Sequence, residues 1–225
     1  VSLARDGTEG QKVCAAGALW NLSYNDDNRV AIAAAGGVEV LVSLARDGSE
    51  AQKERAVGAL WNLSANDELK VAIAAAGGIE VLIALARHGS EGQKDCAAGA
   101  LWNLAVNDDN EAAIVAAGGI EVLVSLARDG NEAQKENAAG ALANLALNDD
   151  SSVAIVAAGG IEVLIALARD GNEAQNGACG DGNEMQKEEA GGAVEPRCAE
   201  RRQRGGDCCG RRDRGPGRWR TSLST

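Results

Sequence analysis

Residues 66–106 read NDELKVAIAAAGGIEVLIALARHGSEGQKDCAAGALWNLAV, and the same text returns, lightly edited, 41 residues earlier and 41 residues later. Trp20, Trp61 and Trp102 keep that spacing, with Ala143 next in the series. Leu-Ala-Arg begins at Leu3, Leu44, Leu85, Leu126 and Leu167, and Gly-Gly at Gly36, Gly77, Gly118 and Gly159. Separate markers sharing one period define a tandem repeat. Complete units fall at 25–65, 66–106 and 107–147, with a partial unit at 1–24 and another at 148–175.

The punctuation inside a unit predicts three helices. Asn66-Asp67-Glu68 supplies a cap and an acidic first turn for a short Ala-rich helix that stops at Gly77-Gly78, where glycine takes a left-handed conformation. A second helix over Ile79–Arg87 carries Ile79, Leu82, Ile83 and Ala86 on one side and ends at His88-Gly89-Ser90. The third and longest starts near Glu91 and runs to Leu104. Such a triplet cannot bury its faces alone, so the units must stack, each stabilised by its neighbours.

Composition agrees. With no Phe, five aromatic residues and 29 Gly in 225 residues, a core of large rings is excluded, and Ala, Val, Leu and Ile suit closely packed helices. Residues 1–175 carry 12 Lys and Arg against 25 Asp and Glu, a net of −13, whereas 176–225 are net +2. An acidic body argues against nucleic acid as partner. No apolar run has the ~18 residues of a membrane span and no segment reads as a signal peptide, so a cytoplasmic or nuclear location is expected.

The string GALWNLS at Gly17–Ser23 and Gly58–Ser64, with GALWNLA at Gly99–Ala105, resembles the third helix of armadillo repeats, and AIAAAGGIEVLIALAR resembles the first two helices with their joining glycine. The similarity spans about residues 1–175 and is closest to repeats of the beta-catenin and adenomatous polyposis coli type. It departs from the importin-alpha type, which has Trp four residues before the groove Asn; here that place is Gly17, Gly58, Gly99 or Gly140. The resemblance implies an all-α fold, a right-handed superhelical solenoid of three-helix repeats.

It also implies a concave groove lined by the third helices, with Asn21, Asn62, Asn103 and Asn144 holding the backbone of an extended peptide. An amide suits that task because it offers both a donor and an acceptor. Helices packed ~8–10 Å apart would space successive Asn by roughly three extended residues of ~3.3 Å each. Four residues before each Asn stands glycine, expected to leave open floor; seven before stand Cys14, Arg55, Cys96 and Asn137, the variable place of the unit. Glu54, Asp95 and Glu136 lie eight before, at an expected rim. Trp20, Trp61 and Trp102 are placed either to wall the groove, offering ring faces to apolar or cationic side chains, or to fill the space between repeats. The expected partner is a protein or peptide, with basic or long apolar side chains.

Nothing here assembles a catalytic or metal site: no nucleophile with its base, no phosphate loop and no cofactor motif. Asn-Asp-Asp-Asn at Asn25–Asn28 and Asn107–Asn110 lacks the spacing, glycine and closing Glu of a calcium loop and reads as capping. His88 stands alone where sister units have Asp. Cys14 and Cys96 lie two repeats apart, too far to bridge, and are expected reduced.

From about Gly177 the pattern dissolves into Gly, Arg and Cys. Yet one permitted codon choice for Ala193–Gly217, read one base later, spells LWNLAVQNDDNEAAIVAAGGIEVL, against LWNLAVNDDNEAAIVAAGGIEVL at 101–123. The tail therefore reads as a further repeat in a shifted frame, expected to be disordered as written, with Cys179, Cys198, Cys208 and Cys209 lacking metal-ligand spacing. The expected function is a non-catalytic scaffold for an extended segment of a partner. The alternatives are the recognition part of a larger protein, such as an armadillo-containing ubiquitin ligase, and a fragment without function. Uncapped repeat ends are expected to favour end-to-end association.

Overall fold

The computed structural model describes residues 1–169, which form thirteen α-helices and no strand. A leading pair, α1 (Ser2–Asp6) and α2 (Glu9–Leu22), is followed by three triplets. These are α3 (Asp26–Ala34), α4 (Gly37–Asp47) and α5 (Glu50–Leu63); α6 (Asp67–Ala75), α7 (Gly78–His88) and α8 (Glu91–Leu104); and α9 (Asp108–Ala116), α10 (Gly119–Asp129) and α11 (Glu132–Leu145). A closing pair, α12 (Asp149–Ala157) and α13 (Gly160–Arg169), completes the described chain. The tail, expected above to be a further repeat in a shifted frame, lies outside the described residues.

Local chemistry sets each boundary. Asn25, Asn66, Asn107 and Asn148 cap the short helices, each side-chain oxygen accepting backbone N–H groups of the first turn. The long helices open with reciprocal capping boxes, as in Ser90 with Gln93 and Asn131 with Gln134. Between short and medium helices the chain turns by 81–84°, and the two glycines divide the work. The first, such as Gly77, sits at φ +73°, in the left-handed region. The second, such as Gly78, has no room for a Cβ, which would meet Ile73 at 2.6 Å.

The core is a spine rather than a ball. Ile79, Leu82, Ile83 and Ala86 are buried as their spacing predicts, and so are Val81 and Leu85, because α7 packs against α8 on one side and neighbouring medium helices on the other. Leu60, Leu63, Leu101, Leu104, Leu142 and Leu145 of the long helices are fully buried. The long helices α2, α5, α8 and α11 pack each on the next in one continuous row. No single helix among the described residues is long and apolar enough to cross a membrane.

Candidate functional site

The row of long helices carries the residues singled out from the sequence, one set per repeat. Asn62 donates from Nδ2 to Ser23 Oγ at 3.0 Å and to the Trp20 carbonyl at 3.5 Å; Asn103 donates to Ser64 Oγ at 3.0 Å. Ser23 and Ser64 each spend their own proton on the carbonyl three residues back, Trp20 at 2.6 Å and Trp61 at 2.7 Å, so their oxygens can only accept from the next repeat's Asn. Where the serine place becomes Ala105, Asn144 reaches the Trp102 carbonyl directly at 3.2 Å. Acceptors on the far side thus fix the orientation of all three amides. Their Oδ1 atoms accept no hydrogen bond among the described residues and remain lone-pair sites on half-buried side chains. Asn21 is exposed on α2.

The glycine floor is not open as the sequence suggested. A Cβ at Gly58 would meet the Trp20 indole at 2.5 Å, one at Gly99 would meet Trp61 at 2.5 Å, and one at Gly140 would meet Trp102 at 2.4 Å. Each tryptophan lies against the glycine of the following repeat, filling the space between repeats while staying only partly buried. Gly17 differs: its nearest neighbour would be Arg55 Cδ, at 3.8 Å.

The variable place is exposed at Cys14 and Arg55 and buried at Cys96 and Asn137. Arg55 is exposed and holds its guanidinium carbon 5.5 Å from the Trp20 ring centroid. Cys96 is buried, and burial, with smaller contributions from Asp95 and Glu54, pushes its thiol up to about 12. Asn137 is buried and donates to the Asp95 carbonyl at 3.2 Å. Glu54 is exposed, whereas Asp95 and Glu136 are half-buried, Asp95 accepting from Asn131 Nδ2 at 3.0 Å.

One ladder went unread in the sequence. Gln52, Gln93 and Gln134 each cap their own helix and also reach back a repeat, Gln93 donating to the Glu50 carbonyl at 3.3 Å and to its carboxylate at 3.0 Å. Gln134 does the same to Glu91, at 3.3 and 2.8 Å, and Gln52 to Glu9. The Gln93 amide, together with the nearby Lys53, holds the Glu50 carboxyl below its ordinary value; for Glu91 the Gln134 amide is the largest cause. The signal was the recurrence of Glu and Gln two residues apart in every unit.

The other singled-out residues fall elsewhere. Asn25 and Asn107 serve as helix caps, and Asn28 and Asn110 use their side-chain amides on the carbonyls of Leu22 and Lys70. Cys14 is exposed and both described cysteines are free. His88 lines a cleft of about 380 Å³ with Arg46, Lys53 and Glu80, and an equivalent cleft of about 360 Å³ recurs one repeat on; neither includes the Trp or Asn row.

A stack of three-helix units with one Asn and one variable place per unit, and a Trp in all but the last long helix, defines an α-solenoid repeat protein. The Armadillo/beta-catenin-like repeat profile matches residues 25–65, 66–106 and 107–147, more than half of the chain, and the chain belongs to that family. Protein ARABIDILLO 2 of Arabidopsis thaliana is 59% identical over 39 residues, a match covering 17% of this chain and 4% of that protein. Among solved structures, an engineered protein is similar at 39% identity and TM-score 0.70, covering 74% of this chain and 69% of its own. A designed armadillo repeat protein in complex with the peptide (KR)4 is similar at 27% identity and TM-score 0.69, covering 83% and 75%.

Proposed function

We propose that the protein is a non-catalytic scaffold that holds an extended, basic segment of a partner protein along the concave row of long helices. The observation that carries this reading is the series of Asn62, Asn103 and Asn144, whose amides are oriented by the preceding repeat while their Oδ1 atoms stay free to accept. An acceptor repeated at each unit matches the N–H groups of an extended chain without demanding a particular side chain. The partly exposed faces of Trp61 and Trp102 and the carboxylates of Asp95 and Glu136 favour cationic side chains beside it. That the similar designed protein was solved with (KR)4 supports the choice of a basic peptide. A cytoplasmic or nuclear location belongs to the same reading and is testable by cell fractionation.

A library of extended peptides, screened against the full chain and against Asn62→Ala and Asn103→Ala, tests this. Each substitution is expected to weaken the selected peptides about 3–10-fold, the equivalent of one hydrogen bond of roughly 0.5–1.5 kcal/mol. Because each Asn also ties two repeats together, urea unfolding of both variants must accompany the screen. Unchanged affinity in both variants would sink the assignment.

A further inference from the structure

The place seven residues before each Asn is Cys14, Arg55, Cys96 and Asn137 in successive repeats, and Arg55 alone is charged. Cys14 is exposed like Arg55, but among the described residues only Arg55 of the four lies over a ring. Arg55 is exposed, its stem passes Gly17, and its guanidinium covers the Trp20 ring at 5.5 Å. It belongs to none of the ion pairs among the described residues. Cys96 is buried and uncharged, and Asn137 is buried and tied to the Asp95 carbonyl. A ring face attracts one cation, so Trp20 is already served by the chain's own guanidinium, while no cation of the chain covers Trp61 or Trp102 among the described residues. Glu54 does not cancel this, because adjacent helix residues point about 100° apart and do not share a face.

We infer that Arg55 sets the register of the bound segment: the place over Trp20 takes a carboxylate side chain and repels a basic one, whereas the following two places take basic side chains. This rests on the peptide-scaffold reading above. An exposed guanidinium without a carboxylate of its own offers a planar fork of donors, the geometry that carboxylates fit best. At about three residues per repeat, the preferred ligand is an extended peptide with Asp or Glu at one end of a basic run rather than an uninterrupted basic run.

The test uses the full chain and three fluorescein-labelled peptides: (Lys-Arg)4, and the same peptide with either its first or its last Lys-Arg pair replaced by Glu-Glu. Anisotropy titrations are run on the wild type and on Arg55→Asn, which installs the residue found at the matching place of Asn137 and is therefore compatible with the repeat. One acid-ended peptide is expected to bind the wild type about fivefold tighter than the other, the size of an exposed charge pair. Arg55→Asn is expected to erase that preference and to tighten (Lys-Arg)4. Equal affinities of the two acid-ended peptides for the wild type, or a preference that survives Arg55→Asn, would overturn the inference alone. If none of the three peptides binds the wild type, the scaffold reading falls with it.

Discussion

A methyl group added at Gly58 would sit 2.5 Å from the Trp20 indole, whereas one added at Gly17, the matching residue a repeat earlier, would find only Arg55 Cδ at 3.8 Å. The same chemical change should therefore act in opposite directions. Gly58→Ala is expected to destabilise by about 1–3 kcal/mol through overpacking. Gly17→Ala is expected to be neutral or to stabilise by up to about 1 kcal/mol, because alanine is the better helix former. Urea unfolding followed by circular dichroism distinguishes them, and equal effects would contradict the ring-on-glycine packing. These glycines also show where sequence reading stops. Their spacing from Asn was plain, but the neighbour that fills each space is a Trp 38 residues away, brought close only by stacking. The Asn ties to Ser23 and Ser64, 39 residues back, were hidden for the same reason.

At the scale of helices, nearly everything was legible. Asn before each short helix, Gly-Gly after it and the capping box before each long one are local signals, and local hydrogen bonds set those boundaries in the structure. What the local signals concealed is that Gln93 works twice, capping α8 and gripping Glu50 at the start of α5. This second contact has a pH signature. The Glu50 carboxyl lies below its ordinary value, with Gln93 the largest single cause and Lys53 beside it, so the stability it contributes is complete above that ordinary value. It is lost as pH falls through the lowered one, since the unfolded chain takes up the proton first. Relative to wild type, Glu50→Gln should be less stable near neutrality and converge with it in acid. Urea midpoints across that range that keep a constant difference would contradict the ladder.

At the scale of the molecule, the repeat was visible because one period governs caps, turns and core alike, and 41-residue spacing survives the substitutions within it. Which face of the stack works is less visible, since that depends on what neighbouring repeats leave uncovered. The medium helices are buried between neighbours, and the long helices keep half-buried Asn and Trp at the surface. A net charge of −11 means that a basic peptide will adhere weakly to much of this surface, so affinity by itself is a poor witness. Location is the better one. In an isotope-labelled full chain titrated with (Lys-Arg)4, the indole N–H resonances of Trp61 and Trp102 and the side-chain amides of Asn62 and Asn103 are predicted to shift together and saturate together. Shifts confined to the cleft beside Arg46 and His88, with the tryptophan and asparagine signals unmoved, would contradict the central claim.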